Sequence, residues 1–598
     1  MSESRKKNPS AGQPAFGGYS ETIQSVIVAF VIAMIARGFV LEGFVIPTGS
    51  MAPTLMGQHG RYHSVQTGSS YAYDWGNTQS GFASIWMNSV KKLSDAARMV
   101  QTTTQPDRRR SILMKARREN GIPRWDPYFG LDLPVERFLP DPSNGVRPRS
   151  GDRVLVLKAI YPFMEPDRFD VVVFKNPTDP MGKTQNYIKR LVGLPEEHLV
   201  TVDGDIFTGP LDQGVEAMNV VRKPESVQRA VWQPVYDSNY LPVDLPAWRE
   251  SNRASWWGAP WLPGSGEDVE WSIGLERTWV CTADGPTRLD FNGDAWPITD
   301  NNMYNVYRFA KSADSVVPPL RRPQLYAVSD VRVKGTIDPA RPDGFRSTRL
   351  SLETRGLVHE WEVAADSVAV RLVDAETGSL IDSGSASFSA PDRAFEVDFW
   401  HVDQQMWIFV DGETLLRMPY DQWDPVERFE ASFPGTSIAD YMRDPTLPRP
   451  APPKLSWTFD STPFALRNVQ VARDLYYRPI RLDDRNVTGN QFSGNGSPIY
   501  GMGFGSDILD PSRIEADQFV MFGDNSEASR DGRMWGRPHQ LSIAYTGDDS
   551  PFVVPRRLLI GKAFSVYFPA PLRSRLPWPL QGIEVKFIPD FGRIRFIR

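Results

Sequence analysis

Cysteine is almost absent from this chain of 598 residues, which contains only Cys281. A single cysteine excludes an intrachain disulfide, a zinc site built from four cysteines and a cysteine-ligated cluster. The fold must therefore be held together by hydrophobic cores. We expect Cys281 to take no part in the chemistry.

An excess of charge of one sign is also missing, because 67 basic residues nearly balance 72 acidic ones and leave a net charge of −5. This balance gives no reason to expect a nucleic-acid partner. Apolar residues make up 41% and charged residues 23% of the chain, which is typical of a globular protein. The length suggests about three or four domains, and 46 Gly with 51 Pro favour turns and short strands over long helices.

Long apolar runs are restricted to the N-terminus. Val26 to Ala36 carry no charge, and the 21 positions from Tyr19 to Phe39 are charged only near their ends, which is long enough for a membrane span. Basic residues at 5–7 predict a cytoplasmic N-terminus. A cleavable signal peptide begins in the same way, but no small-x-small cleavage pattern follows here. We therefore expect a cytoplasmic tail at 1–20 and an uncleaved anchor at 21–42.

Three segments combine strand-like apolar residues with polar turns. The first, Phe44 to Leu55, ends in a glycine-containing turn that can present the Ser50 hydroxyl. The second, Asn186 to Pro195, is typical of a strand and places Lys189 among apolar neighbours. The third, Phe522 to Gly536, is a polar loop. Taken singly, they are most often a turn, an edge or snorkelling lysine, and a solvated loop.

Together, these segments resemble the boxes of bacterial type I signal peptidase, a membrane-bound peptidase that processes exported preproteins. The serine box is matched by residues 47–55, with Thr48 in place of a serine, the lysine box by 187–195 and the third box by 523–536. Weaker matches in the same family order lie at Gly151 to Val156, Arg168 to Phe174 and Gly561 to Tyr567.

The resemblance implies a Ser–Lys dyad, with Ser50 as nucleophile and Lys189 as general base. The lysine pKa must then fall by roughly 2–3 units, which burial can supply. The resemblance also implies that the Thr48 hydroxyl helps to form an oxyanion hole and that Ser529 hydrogen-bonds and orients Lys189. Residues expected to support the site structurally are Gly523, Asp524, Asn525, Asp531, Arg533 and Arg190.

Substrate binding is expected at the extended run before Ser50, which would pair with the preprotein backbone. Small side chains at −1 and −3 of the preprotein would then enter shallow apolar pockets. No cofactor is needed, and no metal site is expected. Positions that match pocket-lining residues, with core packing as the alternative, are Phe44, Ile46, Pro47, Met51, Leu55, Tyr187 and Ile188.

The spacing of the boxes predicts a mainly β catalytic domain that is interrupted by insertions. Its expected parts are 43–56, 149–200 and 484–598, and the first insertion, 57–148, contains a predicted helix from Phe82 to Val100. The second insertion begins with a segment at 201–335 that is rich in Pro and Trp. Its tryptophans could bind sugars, although packing is the commoner role.

The remaining insertion, residues 336–477, is predicted to be a β-sandwich. Strand-like runs are separated by turn signals, of which Asp411-Gly412 is a strong hairpin signal. The runs Val397 to Asp403 and Trp407 to Gly412 loosely resemble a concanavalin or laminin-G type of jelly roll. Such a domain could bind a glycan or protein, or serve only as a spacer.

The sequence therefore predicts a signal peptidase of the bacterial cytoplasmic membrane, with its catalytic domain on the extracytoplasmic face and with preproteins and membrane lipid as partners. One alternative is a catalytically idle, membrane-tethered module that binds glycan or protein. Another is a soluble Ser–Lys autopeptidase of the repressor type, which would lack the anchor and the third box.

Overall fold

A computed structural model describes most of residues 16–598. The ranges left out of the description are 65–66, 77–78, 129–135, 139–147, 159, 242–258, 265–269, 274–276, 318–321, 323–324, 445–448, 483–498, 571, 576–583 and 590. The basic residues at 5–7 and the tryptophans at 248, 256 and 257 thus lie outside the described residues.

Helices are few, which agrees with the mainly β fold predicted from the Gly and Pro content. The helix predicted at 82–100 is confirmed at Gly81–Thr102. Another helix is capped by Asp424, whose side chain accepts hydrogen bonds from the amides of Val426 and Glu427. In the described part of the chain, the α-helices are Phe16–Ile35, Gly81–Thr102, Pro106–Asn120, Glu225–Val231, Pro425–Ser432, Ile438–Arg443 and Gln540–Thr546. A π-helix spans Ala36–Val40, and 3-10 turns span Gly49–Met51, Val215–Ala217, Ser238–Tyr240, Met303–Asn305, Ala313–Ser315, Ser526–Ala528, Arg556–Leu558 and Phe591–Arg593.

One antiparallel sheet carries the three boxes. Its strands come from distant parts of the chain, and their apolar side chains pack into two hydrophobic cores, one with Val154, Val171 and Val566 and the other with Phe174, Leu191 and Met521. The order across the sheet is Leu41–Val45, Arg153–Lys158, Leu559–Phe568, Val171–Lys175, Asn186–Gly193, Gln518–Phe522 and Val554–Pro555, and Arg595–Phe596 pairs with Leu559–Phe568. The three weaker sequence matches thus fall on neighbouring strands of this sheet.

Two further sheets, of eight and seven strands, enclose a second hydrophobic core and form a β-sandwich. The Asp411-Gly412 turn joins two of the strands, and both residues have positive φ angles of 49° and 84°, as a tight hairpin requires. The first sheet runs in the order Trp271–Ile273, Trp279–Cys281, Phe464–Arg473, Val331–Pro339, Phe395–Val402, Gln405–Val410 and Glu413–Pro419, and Gln233–Asp237 pairs with Phe464–Arg473. The second runs in the order Trp261–Pro263, Gly285–Phe291, Lys454–Ser461, Phe345–Thr354, Leu357–Ala364, Ser367–Asp374 and Leu380–Ser387.

The sandwich takes in strands from the Pro- and Trp-rich segment, which differs from the division at residue 335 expected from the sequence. Trp261, Trp271 and Trp279 are buried in its core. Their rings contact other aromatic side chains of the core: the ring centroids of Trp261 and Trp457 lie 5.9 Å apart, and those of Trp271 and Phe464 lie 5.5 Å apart. Of the described tryptophans in this segment, these three serve packing and not a surface for sugars.

The described residues also form smaller sheets. A four-stranded sheet runs in the order Asn219–Val220, Asp205–Pro210, Glu197–Val202 and Ser512–Ile514. Two-stranded pairs are formed by His59–His63 with Ser70–Asp74, Ile122–Arg124 with Glu136–Phe138, Arg481–Leu482 with Gly501–Met502, and Leu572–Arg575 with Glu584–Ile588.

The N-terminal helix Phe16–Ile35 precedes the first strand of the sheet that carries the three boxes. Apolar side chains such as Ile23, Val26 and Phe30 are more than half exposed. Among the residues that the structure describes, no helix is long and apolar enough to cross a membrane. The anchor predicted at 21–42 therefore gains no support from the described helices.

Replacement of Trp261 should test its place in the sandwich core. The side chain is fully buried and its ring centroid lies 5.9 Å from that of Trp457. We expect Trp261→Ala to lower the free energy of unfolding by about 3–5 kcal/mol, measured by denaturant unfolding. Leu380→Ala, at an exposed strand residue of the same sandwich, should change it by less than about 0.5 kcal/mol. Equal effects of the two variants would contradict this packing.

Candidate active site

The serine loop, residues 46–58, follows directly from the edge strand Leu41–Val45. Gly49–Met51 form a 3-10 turn closed by a hydrogen bond from the Ala52 amide to the Gly49 carbonyl, 3.0 Å long. Ile46, Met51 and Leu55 are buried in the core beneath the sheet. These apolar contacts hold the loop against the sheet, and Ser50 is left 8% exposed.

The lysine strand, Asn186–Gly193, lies between two other strands of the same sheet. This central position brings Nζ of Lys189 to 2.6 Å from Oγ of Ser50, although 139 residues separate them in sequence. Nζ also donates a hydrogen bond of 3.1 Å to the Ile188 carbonyl. The structure thus brings the predicted nucleophile and the predicted base into contact.

Burial makes the neutral amine of Lys189 more accessible than it is in a solvated lysine. The side chain is fully enclosed, and burial lowers its pKa to about 8, whereas the carboxylates of Asp531 and Asp524 act to raise it. The guanidinium of Arg533 opposes these carboxylates. Desolvation prevails because a buried ammonium loses the hydration that stabilises its charge in water.

A buried ion pair connects the lysine strand to the third box. Arg190 donates from Nε and Nη2 to the two carboxylate oxygens of Asp524 at 2.8 and 2.7 Å, and both side chains are fully buried. Thr54 of the serine loop donates from Oγ1 to the same carboxylate at 2.5 Å. Asp524 therefore links all three boxes through one side chain.

A second buried pair shapes the third-box loop, residues 523–536. Arg533 donates from Nε and Nη2 to Asp531 at 2.8 and 2.7 Å, and Asp531 also accepts from the Gly523 amide at 2.9 Å. Gly523 is needed because a Cβ atom there would lie 2.2 Å from Oγ of Ser529 and 2.5 Å from the Ser50 carbonyl oxygen. The loop can thus approach the nucleophile only with glycine at this position.

Ser529 lies beside Gly523 and is 5% exposed. Its Oγ has no hydrogen-bond partner among the described residues. The hydrogen bond from Ser529 to Lys189 that the family resemblance implies is therefore not formed in this structure, although the hydroxyl is placed close to the serine loop.

The other predicted site residues differ in the solvent exposure of their side chains. Thr48 is exposed and caps the 3-10 turn in an extended conformation, without a side-chain capping bond. Pro47 is exposed as well, while the half-buried residues are Phe44, Tyr187 and Ile188 and the fully buried ones are Ile46, Met51 and Leu55. The buried three pack in the core, as the alternative interpretation of these positions expects.

Asn525 makes contacts that its place in the third box did not specify. Its backbone amide donates to the Ser50 carbonyl at 3.1 Å, and its side chain donates to the Gly49 carbonyl at 2.9 Å. The same side chain exchanges hydrogen bonds with Asn305. Asn305 lies in a run of asparagines that is typical of a loop, so the sequence held no signal for this role.

The buried Ser50 hydroxyl is hydrogen-bonded to the buried Lys189 amine, an arrangement in which an amine can act as base for a serine hydroxyl. A family model described as signal peptidase, peptidase S26, matches residues 142–229, which include Lys189 but neither Ser50 nor the third box. A probable signal peptidase I-2 from Synechocystis sp. is 33% identical over 75 residues, 12% of this chain. The chain spans about a third, 34%, of the length of that relative. Both matches support the signal peptidase family for this part of the chain.

Solved structures similar to the chain include a carbohydrate-binding module, CBM66, from Bacillus subtilis and sheep galectin-11. The first is 11% identical with a TM-score of 0.20 and covers 36% of this chain and 96% of the module. The second is 13% identical with a TM-score of 0.16 and covers 24% of this chain and 92% of the galectin. These scores are too low to support any inference about the fold or ligands of this chain.

Breaking the Arg190–Asp524 pair should destabilise the sheet that carries the three boxes. Arg190→Met leaves the Asp524 carboxylate buried without its partner, so we expect a loss of about 3–5 kcal/mol in the free energy of unfolding. The double variant Arg190→Met with Asp524→Asn should recover part of this loss because the uncompensated charge is gone.

The matched control is Lys454→Ala, which removes an exposed ion pair with Glu353 and should cost less than about 1 kcal/mol. Denaturant unfolding measures all three variants. A loss for Arg190→Met as small as that of the control would show that the buried pair does not hold the site.

Proposed function

We propose that this protein is a serine endopeptidase that removes N-terminal signal peptides from exported preproteins. The observation that carries the proposal is the 2.6 Å contact between Nζ of Lys189 and Oγ of Ser50 in a water-excluded site. The family matches support the class of substrate, which would be chains bearing a signal peptide.

In the proposed mechanism, neutral Lys189 accepts the proton of the Ser50 hydroxyl as Oγ attacks the scissile carbonyl carbon. The ammonium then donates this proton to the leaving amine, and an acyl-enzyme ester remains on Ser50. Water attacks the ester with Lys189 again as base, which releases the signal peptide and restores the hydroxyl. Each proton thus passes through one nitrogen, so the site requires no second base.

The oxyanion of the tetrahedral intermediate would be stabilised by the Ser50 amide and the Thr48 hydroxyl. The Ser50 amide lies in the first turn of a 3-10 helix, where amides lack a helical acceptor. Thr48 is exposed beside it, and its side chain is not used for capping. Removal of one oxyanion donor typically costs about 2.7–4 kcal/mol of transition-state stabilisation.

Substrate would bind along the edge strand Leu41–Val45. This strand pairs with Arg153–Lys158 on one side only and ends the sheet, so its other edge can accept an extended peptide. The chain runs from this strand directly into the serine loop. Of the predicted pocket residues, the half-buried Phe44, Tyr187 and Ile188 would contact small side chains at −1 and −3.

We further propose that the protein acts at the extracytoplasmic face of the bacterial cytoplasmic membrane. The exposed apolar side chains of the N-terminal helix, such as Ile27 and Ile32, would contact lipid. This arrangement would place the site beside substrates that emerge with their signal peptides still in the membrane.

Cleavage of a labelled preprotein with Ala-x-Ala before the cut tests the activity. In detergent, Ser50→Ala and Lys189→Met should each reduce kcat/KM by about 10³-fold or more, because the nucleophile or its base is lost. The exposed controls Ser387→Ala and Lys183→Met should behave as wild type. Normal turnover by Ser50→Ala would refute the dyad, and no turnover by the wild type would favour a catalytically idle binding module.

The pH dependence of cleavage should report the lowered pKa of Lys189. Below a pKa of about 8 the amine is protonated and cannot accept the serine proton, so kcat/KM should rise about tenfold per pH unit. Above that pKa the amine is neutral and the rate should level off. A rate that already levels off near pH 6, or continues to rise to pH 10, would be inconsistent with this assignment.

A further inference from the structure

The bracing segment, residues 302–305, lies in the Pro- and Trp-rich region but reaches the serine loop. It consists of Asn302 and the 3-10 turn Met303–Asn305, and the Asn302 side chain caps this turn by accepting from the Tyr304 amide at 3.0 Å. The turn therefore has a fixed shape before its contacts are considered.

Two residues of the bracing segment contact the serine loop, at Gly49 before Ser50 and at Ala52 and Gln58 after it. Asn302 donates from Nδ2 to the Ala52 carbonyl at 3.1 Å, and the Tyr304 hydroxyl donates to the Gln58 carbonyl at 3.1 Å. The Tyr304 ring lies against Gly49, where a Cβ atom would fall 2.0 Å from Cε1. The ring thus limits the position of the residue that precedes Ser50.

Asn305 joins the bracing segment to the third-box loop through a reciprocal pair of amides. Its Nδ2 donates to Oδ1 of Asn525 at 2.8 Å, and Nδ2 of Asn525 donates back at 2.9 Å. Each amide has a second N–H group: that of Asn305 donates to Glu527 at 3.0 Å, and that of Asn525 donates to the Gly49 carbonyl at 2.9 Å. Both side chains are at least 98% buried, so water cannot replace these bonds.

A cavity of about 430 Å³ adjoins the place where the bracing segment meets the serine loop. Pro53 and Met56 line it from the loop, and Asn302, Met303 and Tyr304 line it from the bracing segment. The junction is also packed, because Tyr304 and Ala52 belong to one buried hydrophobic cluster, against which Met56 packs. Side-chain packing and directional hydrogen bonds therefore hold the two segments together.

We propose that Asn305 is a positioning residue for Ser50. By holding the Asn525 side chain, it fixes the Gly49 carbonyl and therefore the orientation in which the Ser50 hydroxyl meets Lys189. This inference rests on the proposed function, since the step that is positioned is proton transfer within the dyad. It also means that the region at 201–335 contributes to the active site and is not a separable guest of the peptidase.

The test compares Asn305→Ala, Asn525→Ala and the double variant in the full chain. Misplacement of a reacting group by about 1 Å can cost about 10²-fold in rate, so kcat for the labelled preprotein should fall about 10- to 100-fold in each single variant. KM should stay within about twofold because the substrate strand is untouched. The double variant should lose no more than about twofold beyond either single variant, because both changes break the same pair.

The matched control is Asn219→Ala, an exposed asparagine of the same region whose side chain bonds only to the nearby Ala217 carbonyl among the described residues. It should keep the wild-type kcat and KM. If Asn305→Ala does not fold, Asn305→Leu keeps a branched side chain with the same number of heavy atoms and removes the N–H donors without burying a charge. It should then show the same loss in kcat.

Hydrogen exchange gives a readout that does not depend on catalysis. Asn305→Ala should increase amide exchange in peptides covering 46–58 and 523–529, whereas Asn219→Ala should not. Unchanged exchange together with a kcat within about twofold of wild type would overturn the positioning role. If the wild type cleaves no preprotein, the proposed function fails, and exchange alone then decides whether Asn305 holds the loop.

Discussion

The proposed chemistry depends on removing water from one amine. Lys189 meets the Ser50 hydroxyl at 2.6 Å, and burial lowers the pKa of this lysine to about 8 despite two nearby carboxylates. Those carboxylates could have kept the amine charged, but each is paired with its own arginine in a bidentate contact. Desolvation can therefore prevail, and the neutral form of the base becomes accessible near physiological pH, although the ammonium still predominates below a pKa of about 8.

The same ion pairs hold the three boxes together. Asp524 accepts from Arg190 on the lysine strand and from Thr54 on the serine loop, which lies 470 residues away in sequence. A buried carboxylate that lost either partner would be strongly disfavoured, so the arrangement penalises any separation of these segments. The charged groups thus secure the geometry of the site, while the apolar core under the sheet supplies most of the favourable free energy.

Local signals in the sequence predicted local structure well. Asp411-Gly412 adopts the positive φ angles of a hairpin, and the helix expected at 82–100 forms at Gly81–Thr102. The boundary of the sandwich was harder to predict, because the strand of Trp279 pairs with Phe464–Arg473, more than 150 residues later in the chain, and the strand of Trp261 joins the other sheet through Gly285–Phe291. Indole rings in a Pro-rich segment are compatible with either a surface or a core, and only the pairing partner decides between them.

For the candidate site, the sequence by itself determined the residue types that the chemistry needs: a serine in a glycine turn, a lysine in an apolar strand, and an acidic, glycine-containing loop. Their spacing and order along the chain are properties of the sequence, so they can be recognised without a structure. Only the tertiary structure decided which of these groups touch, because contact depends on how the sheet aligns strands from distant parts of the chain. It also brought Asn305 and Tyr304 to the serine loop. No pattern in the sequence marks them, since their role comes from a shared surface formed only after the chain has folded.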